Sequence, residues 1–329
     1  IDYLHAGTCK TPVLSANIEP AAGTALASRM SAYKIIEKDG EKIGVVGLTV
    51  KDKTQFASRP DASTRFLDEA TSAQMVIDEL KLRGVNKIIL MSHLGYAADK
   101  AIAPKLSGVD VIIGGDSHTL LGPDSMKNYG LTPSGAYPTQ AVDKDGRKVC
   151  IAQAWQYSYV VGALDVKFDA SGNVTACSGK PQVLVGDSYK VGSTAASTAD
   201  AAAYRSQLDA SGVFLTTTPD AAATAALAPF KAAKDALGLQ VAGTTSENLC
   251  LRRVPGSKRD TSRSSLGDVC NLDATVVAQG GDIQQLVAEA FLEQGQRFGG
   301  ADISLQNAGG VRVDVPAGNI TVGKVYTLL

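Results

Sequence analysis

Lys87-Ile88-Ile89-Leu90-Met91-Ser92-His93-Leu94-Gly95 and Val109-Asp110-Val111-Ile112-Ile113-Gly114-Gly115-Asp116-Ser117-His118-Thr119 decide the fold of this chain. Each stretch contains a short apolar run that barely alternates with polar residues, the pattern of a strand covered on both faces. Residues 98–106 between them read as a helix. A strand, a helix and a second strand joined by short connections make the repeating unit of a parallel α/β sheet. Polar residues follow each strand at once, Ser92-His93 after the first and Asp116-Ser117-His118 after the second. Ligands and reacting groups in such sheets gather beyond the carboxyl ends of the strands.

Working outward, residues 12–48 read as strands. Segments 33–37 and 42–48 flank Lys38-Asp39-Gly40-Glu41, and Asp-Gly tolerates the positive φ angles of a tight hairpin turn. Residues 63–83 place Phe66, Ala70, Ala73, Ile77 and Leu80 on one helical face, and Gly84 ends that helix. Residues 138–185 return to strands, with turns at Asp145-Gly146 and Ser171-Gly172. Residues 193–237 are rich in Ala, Thr and Ser, broken by Pro219 and Pro229, and read as two helical pieces. A new unit starts near Leu239. Residues 282–296 carry an apolar face of Ile283, Leu286, Val287, Ala290 and Phe291. A strand over 302–306 is expected to lead into Asn307-Ala308-Gly309-Gly310-Val311-Arg312.

Composition excludes several classes. Of 329 residues, 32 are Lys or Arg and 33 are Asp or Glu, for a net charge of −1. So balanced a chain is not built to grip nucleic acid or an anionic membrane. No apolar run approaches the roughly 18 residues of a membrane span. The five cysteines, Cys9, Cys150, Cys177, Cys250 and Cys270, form no CxxC pair, which speaks against zinc knuckles and thioredoxin-like chemistry. Cys250 and Cys270 flank a polar loop and fit either a disulfide that closes it or reduced core thiols. The chain opens at Ile1 without Met and closes with Val325-Tyr326-Thr327-Leu328-Leu329, which reads as a strand or turn. Both ends read as interruptions, of a processed chain or of one whose outer parts are absent.

Only three histidines occur, and two of them, His93 and His118, follow neighbouring strands, with Asp116 two residues before the second. Imidazole nitrogen and carboxylate oxygen together suit zinc, manganese or iron. Three such donors hold one ion poorly and two ions not at all, so a two-metal site needs donors from elsewhere. His5 has no companion and reads as a surface residue.

At these residues the chain resembles the 5′-nucleotidase family of metallophosphoesterases. Ser92-His93-Leu94-Gly95 and Val109 to Thr119 look like the family's last two metal motifs. Gln306-Asn307-Ala308-Gly309-Gly310-Val311-Arg312-Val313-Asp314-Val315-Pro316-Ala317-Gly318 resembles the nucleotide-binding signature of its C-terminal domain. Pro12 to Asn17 and Gln153-Ala154-Trp155 also fit, in the right order, and the type is closest to bacterial periplasmic 5′-nucleotidases and NAD nucleotidases. The resemblance implies an α/β fold in two parts. Residues 1–190 would be the second half of a four-layer metallophosphoesterase sandwich, 191–237 a helical linker, and 238–329 the first part of the α/β substrate-binding domain.

The resemblance also assigns residues. His93 matches a ligand of the second metal and His118 a ligand of the first; Asp116 stands where many members carry histidine. The cofactors implied are two divalent ions, zinc, manganese or similar. Arg253, Asn307, Gly309, Gly310 and Arg312 match substrate-binding positions. Arg253 belongs to a group with Arg252, Arg259 and Arg263 that reads equally as a solvated basic loop, and Asn-Ala-Gly-Gly reads equally as a plain turn. Trp155 is expected to pack in the sheet core, with base stacking as the alternative role. The family's early motifs, Asp-x-His, Gly-Asp and Gly-Asn-His-Glu, are not found before Pro12. They carry the remaining ligands and the catalytic His–Asp pair, so no catalytic residue is assigned within this segment.

The expected activity is metal-dependent hydrolysis of 5′-nucleotides to nucleoside and phosphate, or of NAD or UDP-sugar pyrophosphates, in a periplasmic or secreted protein. The expected partner is a small-molecule nucleotide. The rivals are a cyclic phosphodiesterase or sulfur-compound hydrolase on the same scaffold, a nucleotide-binding module without catalysis, and a proteolytic fragment of an active enzyme.

Overall fold

A computed structural model describes residues 11–192, 194–256 and 264–328. His5, Cys9, Arg259 and Arg263 lie outside these described residues. Contacts divide the chain into two units, one ending at Thr218 and the other beginning at Pro219.

The first unit is built on a six-stranded sheet. β1 (Tyr33–Lys38) and β2 (Glu41–Thr49) form the expected hairpin, with Asp39 at φ 53° and Gly40 at φ 82°, the left-handed pair that a primed turn requires. Then come α1 (Glu69–Leu82), β3 (Lys87–His93), α2 (Tyr96–Ile102), β4 (Val111–Ile113), β5 (Thr139–Val142) and β6 (Lys148–Ala152). The strand order is β1-β2-β3-β4-β6-β5; β2, β3, β4 and β6 run parallel, and the edges β1 and β5 are antiparallel.

Apolar burial holds the layers together. Ala73, Val76, Ile77 and Leu80 of α1 pack on Val46, Leu48, Ile88, Leu90 and Ile112 of the sheet, each large side chain contributing about 1.5–3 kcal/mol. The other face meets a three-stranded sheet. It comprises β7 (Val160–Phe168), β8 (Val174–Val185) and, beyond α3 (Thr198–Ala210), β9 (Phe214–Thr216). Leu164, Val166 and Phe168 pack there against Val111, Cys150 and Val174. A disulfide between Cys150 on β6 and Cys177 on β8, with Cα atoms 6.2 Å apart, joins the two sheets. The mixed α/β layering is that of the expected sandwich.

Several boundaries differ from the sequence expectation. α1 starts at Glu69 rather than 63, because the Asp68 carboxylate caps it by accepting from the Thr71 N–H. Arg65–Phe66 instead pairs with Ile18–Glu19, so Phe66 is buried from a strand. The helix expected over 98–106 begins at Tyr96 and tightens into a 3-10 turn, Ala103–Lys105, that contains Pro104.

The second unit comprises α4 (Ala221–Gly238), β10 (Val241–Thr245), α5 (Asp282–Phe298), β11 (Gly318–Thr321) and α6 (Val322–Leu328). Pro229 does not break α4; the alanine-rich helix runs through it. β10 pairs antiparallel with β11, and Leu251, Ile283, Val287, Val311, Val315 and Leu328 form the core. Leu286 and Phe291, expected to face inward, are 45% and 48% exposed. Residues 302–306 are not a strand: Ile303 and Leu305 are exposed, with no pairing partner among the described residues. The terminal segment is helical rather than extended, which lets Leu328 enter the core. Cys250 and Cys270 are joined, Cα atoms 5.5 Å apart, and both are buried. No helix among the described residues is long and apolar enough to cross a membrane.

Candidate functional site

β3 delivers His93 at its carboxyl end, and β4 delivers Asp116 across Gly114-Gly115. The two side chains meet, with His93 Nε2 3.5 Å from Asp116 Oδ1. Gly114 has no alternative there, since a Cβ would collide with the carboxylate of Asp99 beneath it. Asp99 is fully buried and accepts from Ser92 Oγ at 2.5 Å. Burial pushes its carboxyl up to about 6, against the opposing pull of the Ser92 hydrogen bond and of His93.

The loop carrying Asp116 and His118 is fastened at two places. Gln153, directly after β6 and buried, donates from Nε2 to the Gly115 carbonyl at 2.9 Å. Its Oε1 accepts from Ser117 Oγ at 3.3 Å and from the Thr119 N–H. Ser117 Oγ in turn accepts from the Tyr96 N–H at 3.0 Å, which ties the loop to the start of α2. Asp116 and His118 sit at φ 66° and 49°, a left-handed backbone that non-glycine residues adopt at some cost. Sequence reasoning missed the clamp, although the rule that selected His93 and Asp116 also applies to Gln153, a polar residue at a strand's carboxyl end.

The histidines and the aspartate do not all converge. His118 turns its ring edge-on to Tyr157, centroids 5.3 Å apart. Among the described residues, no three His, Cys, Asp or Glu side chains gather as a metal site. Lys53 was also missed, and it places Nζ 2.5 Å from the Asp116 Oδ1 that faces His93. Two donors about 2.1 Å from one tetrahedral ion stand about 3.4 Å apart. The His93–Asp116 spacing therefore suits two of the donors of one divalent ion.

In the second unit, Leu249 and Val315 bridge through paired backbone hydrogen bonds of 2.7 and 3.0 Å. Asp314, buried and also missed, accepts from the Leu251 N–H at 2.6 Å and from the Ser265 N–H and Oγ at 2.7 and 2.8 Å. Burial pushes its carboxyl up, but these hydrogen bonds and one from Ser264 outweigh it and hold the group below the usual range. The bridge and Asp314 thus tie the Arg252-Arg253 segment to the segment carrying Arg312. Arg253 Nε is buried without a partner among the described residues, open to an acceptor. Asn307 Oδ1 caps the turn Ala308–Gly310 by accepting from the Gly309 N–H at 3.1 Å. Arg312 is exposed.

The chain is similar to known proteins along its whole length. Residues 256–329 match the model of the 5′-nucleotidase C-terminal domain. The chain is 34% identical over 337 residues to a probable 5′-nucleotidase of Treponema pallidum, covering 100% of this chain and 54% of that protein. The solved NAD nucleotidase of Haemophilus influenzae superposes with a TM-score of 0.73 at 30% identity, over 98% of this chain and 55% of the other. A 5′-nucleotidase precursor from Thermus thermophilus superposes at 0.65 with 32% identity, over 100% of this chain and 54% of the other. The chain spans about half the length of the curated relatives it matches.

Proposed function

From the premise that this chain belongs with the 5′-nucleotidases, whose C-terminal domain model matches residues 256–329, we propose that it serves the metal-dependent hydrolysis of 5′-nucleotides. The substrates are nucleoside 5′-monophosphates and the pyrophosphates of NAD or UDP-sugars. The observation that carries the reading is the similarity over the whole chain to proteins named 5′-nucleotidase and NAD nucleotidase.

His93 and Asp116, with His118 as a further ligand, would hold divalent ions that supply Lewis-acid stabilisation of charge on the phosphoryl oxygens. The chain's own residues would position the loop and bind the substrate. Gln153 and Ser117 fix the loop that presents Asp116. Arg253 offers its unpartnered Nε to a phosphate or ribose oxygen, and Arg312 offers a bidentate fork. Asn307, Gly309 and Gly310 form the turn against which the nucleotide lies, with no Cβ at the two glycines to hold it off. No catalytic acid–base pair is proposed among the described residues. We further propose an exported protein, periplasmic or secreted, a reading supported by two disulfides and by the precursor form of the Thermus relative.

The test is phosphate release from AMP and NAD before chelation, after chelation, and after manganese or zinc is restored. Release that disappears and returns with the metal supports the reading. Binding of AMP without release under all three conditions favours a nucleotide-binding module. That second reading draws on the incomplete donor cluster among the described residues.

A further inference from the structure

Asp99, in the first turn of α2, is fully buried, yet its Oδ2 has no hydrogen-bond partner among the described residues. A buried carboxylate oxygen left unmet works against folding, so its presence calls for another reason. Its Oδ1 accepts from Ser92 Oγ at 2.5 Å, and the same hydroxyl accepts from the Leu94 N–H at 3.2 Å. The residues on either side of His93 are thus fastened to each other and to Asp99. The Asp99 N–H donates to the Gly95 carbonyl at 2.8 Å, which closes the turn from β3 into α2. On the other side, Oδ2 lies so near Gly114 that a Cβ there would overlap it. A Cβ on Gly115 would likewise come within 3.0 Å of His93 Nδ1.

We infer that Asp99 is a positioning residue for His93: it holds the end of β3 through Ser92 and sets that end against the β4 loop carrying Asp116. The inference rests on the proposed metal-dependent reading. The pairing of β3 with β4 ends at Met91 and Ile113. Ser92 and Gly114 are the next residues along the two strands, and the Asp99 carboxylate spans them, one oxygen to each. It therefore continues the register where the ladder stops, one residue before His93 and two before Asp116. The 3.5 Å between His93 Nε2 and Asp116 Oδ1 depends on that register. Asp99 itself is covered and reaches neither ion nor substrate, so its effect passes through Ser92 and Gly114. Outer residues that orient a metal-binding imidazole commonly change metal affinity when they are removed.

Manganese and zinc are titrated by calorimetry against the protein and its variants. Asp99→Ala is expected to weaken binding about tenfold or more, and Asp99→Asn, which keeps an acceptor for Ser92 Oγ, by about twofold at most. Ser92→Ala should weaken it as well, and the double variant should bind no worse than the weaker single one, because both act through one hydrogen bond. Val76→Ala, which loosens the packing of α1 away from the site, should lower stability and leave the affinity as it was. A second readout needs no ion. With three histidines in the chain, the His93 ring signals are identified by nuclear magnetic resonance using His93→Gln. They should shift and broaden in Asp99→Ala and stay near the parent's in Asp99→Asn. A natively folded Asp99→Ala protein with unchanged affinity and unchanged ring signals overturns the inference. If Asp99→Ala does not fold, Ser92→Ala decides by the same two measurements. If the unaltered protein binds neither ion, the proposed metal-dependent function falls, and the ring signals alone decide the role of Asp99.

Discussion

Lys53 Nζ lies 2.5 Å from Asp116 Oδ1, on the carboxylate oxygen that stands 3.5 Å from His93 Nε2. A flexible ammonium therefore occupies the place where an ion shared by His93 and Asp116 would draw its negative charge. Lys53 is 60% exposed, and such pairs contribute about 0–1 kcal/mol. Lys53→Met is expected to tighten manganese or zinc binding, by up to about fivefold, in isothermal titration. Asp116→Ala should weaken it by more than that. Tighter binding lost in Lys53→Met would mean that the lysine supports the ion instead of competing with it.

Gln153 is expected to govern the order of the 115–119 loop. Its side chain is buried and makes hydrogen bonds to Gly115, Ser117 and Thr119. Gln153→Leu keeps the bulk but strands those partners, at about 1–3 kcal/mol for each one left buried and unmet. Urea unfolding should show a loss of a few kcal/mol, with faster amide exchange at Thr119. A variant as stable as the parent would show that the loop holds its shape without the clamp.

Asp110 gives the first unit a pH dependence. Burial pushes its carboxyl up to about 7, reinforced by Asp143 and opposed by the Ile88 N–H bond at 2.7 Å, Lys81 and Arg147. A carboxyl with a raised folded-state value favours the folded state fully below its unfolded value near 4, and that advantage drains away as pH rises to about 7. Asp110→Asn keeps an acceptor for Ile88 and removes the titration. Between pH 4 and 7 the variant should therefore lose less stability than the parent, by a few kcal/mol at most. Parallel urea midpoints for the two proteins across that window would contradict the assignment.

The two disulfides close segments of 27 and 20 residues, for which the chain-entropy account gives on the order of 3 kcal/mol each. Replacing Cys150 and Cys177 together by serine should lower the stability of the first unit, and replacing Cys250 and Cys270 that of the second. Intact mass before and after alkylation under denaturing, non-reducing conditions reads the pairing directly; four alkylated sites among these cysteines would refute it.

What the sequence made legible follows from how local each signal is. The Asp39-Gly40 turn, the strands at 87 and 109, and the placement of His93 and Asp116 at strand ends depend on near neighbours and on the apolar pattern. The spacing of Phe66 fits a helix; only the pairing of Arg65–Phe66 with Ile18–Glu19, distant in sequence, makes it a strand residue. Lys53, Gln153 and Asp314 act on partners 63, 38 and 63 residues away, and nothing in their immediate sequence announces those partners. Cys150 and Cys177 become a pair only when one sheet lies on the other.

The left-handed stretch at Trp155, Tyr157 and Ser158 bears on how this protein could be improved. Glycine adopts such angles freely, so Ser158→Gly is an easy route to a sturdier molecule on backbone grounds, at a gain below about 1 kcal/mol once glycine's extra freedom in the unfolded chain is deducted. The same relaxation loosens the series of ring contacts that runs from His118 through Tyr157 and Tyr159 to Trp155. Selection for heat resistance alone would thus be expected to loosen the order of these rings, so a sturdier backbone and a fixed aromatic surface pull this one loop in opposite directions.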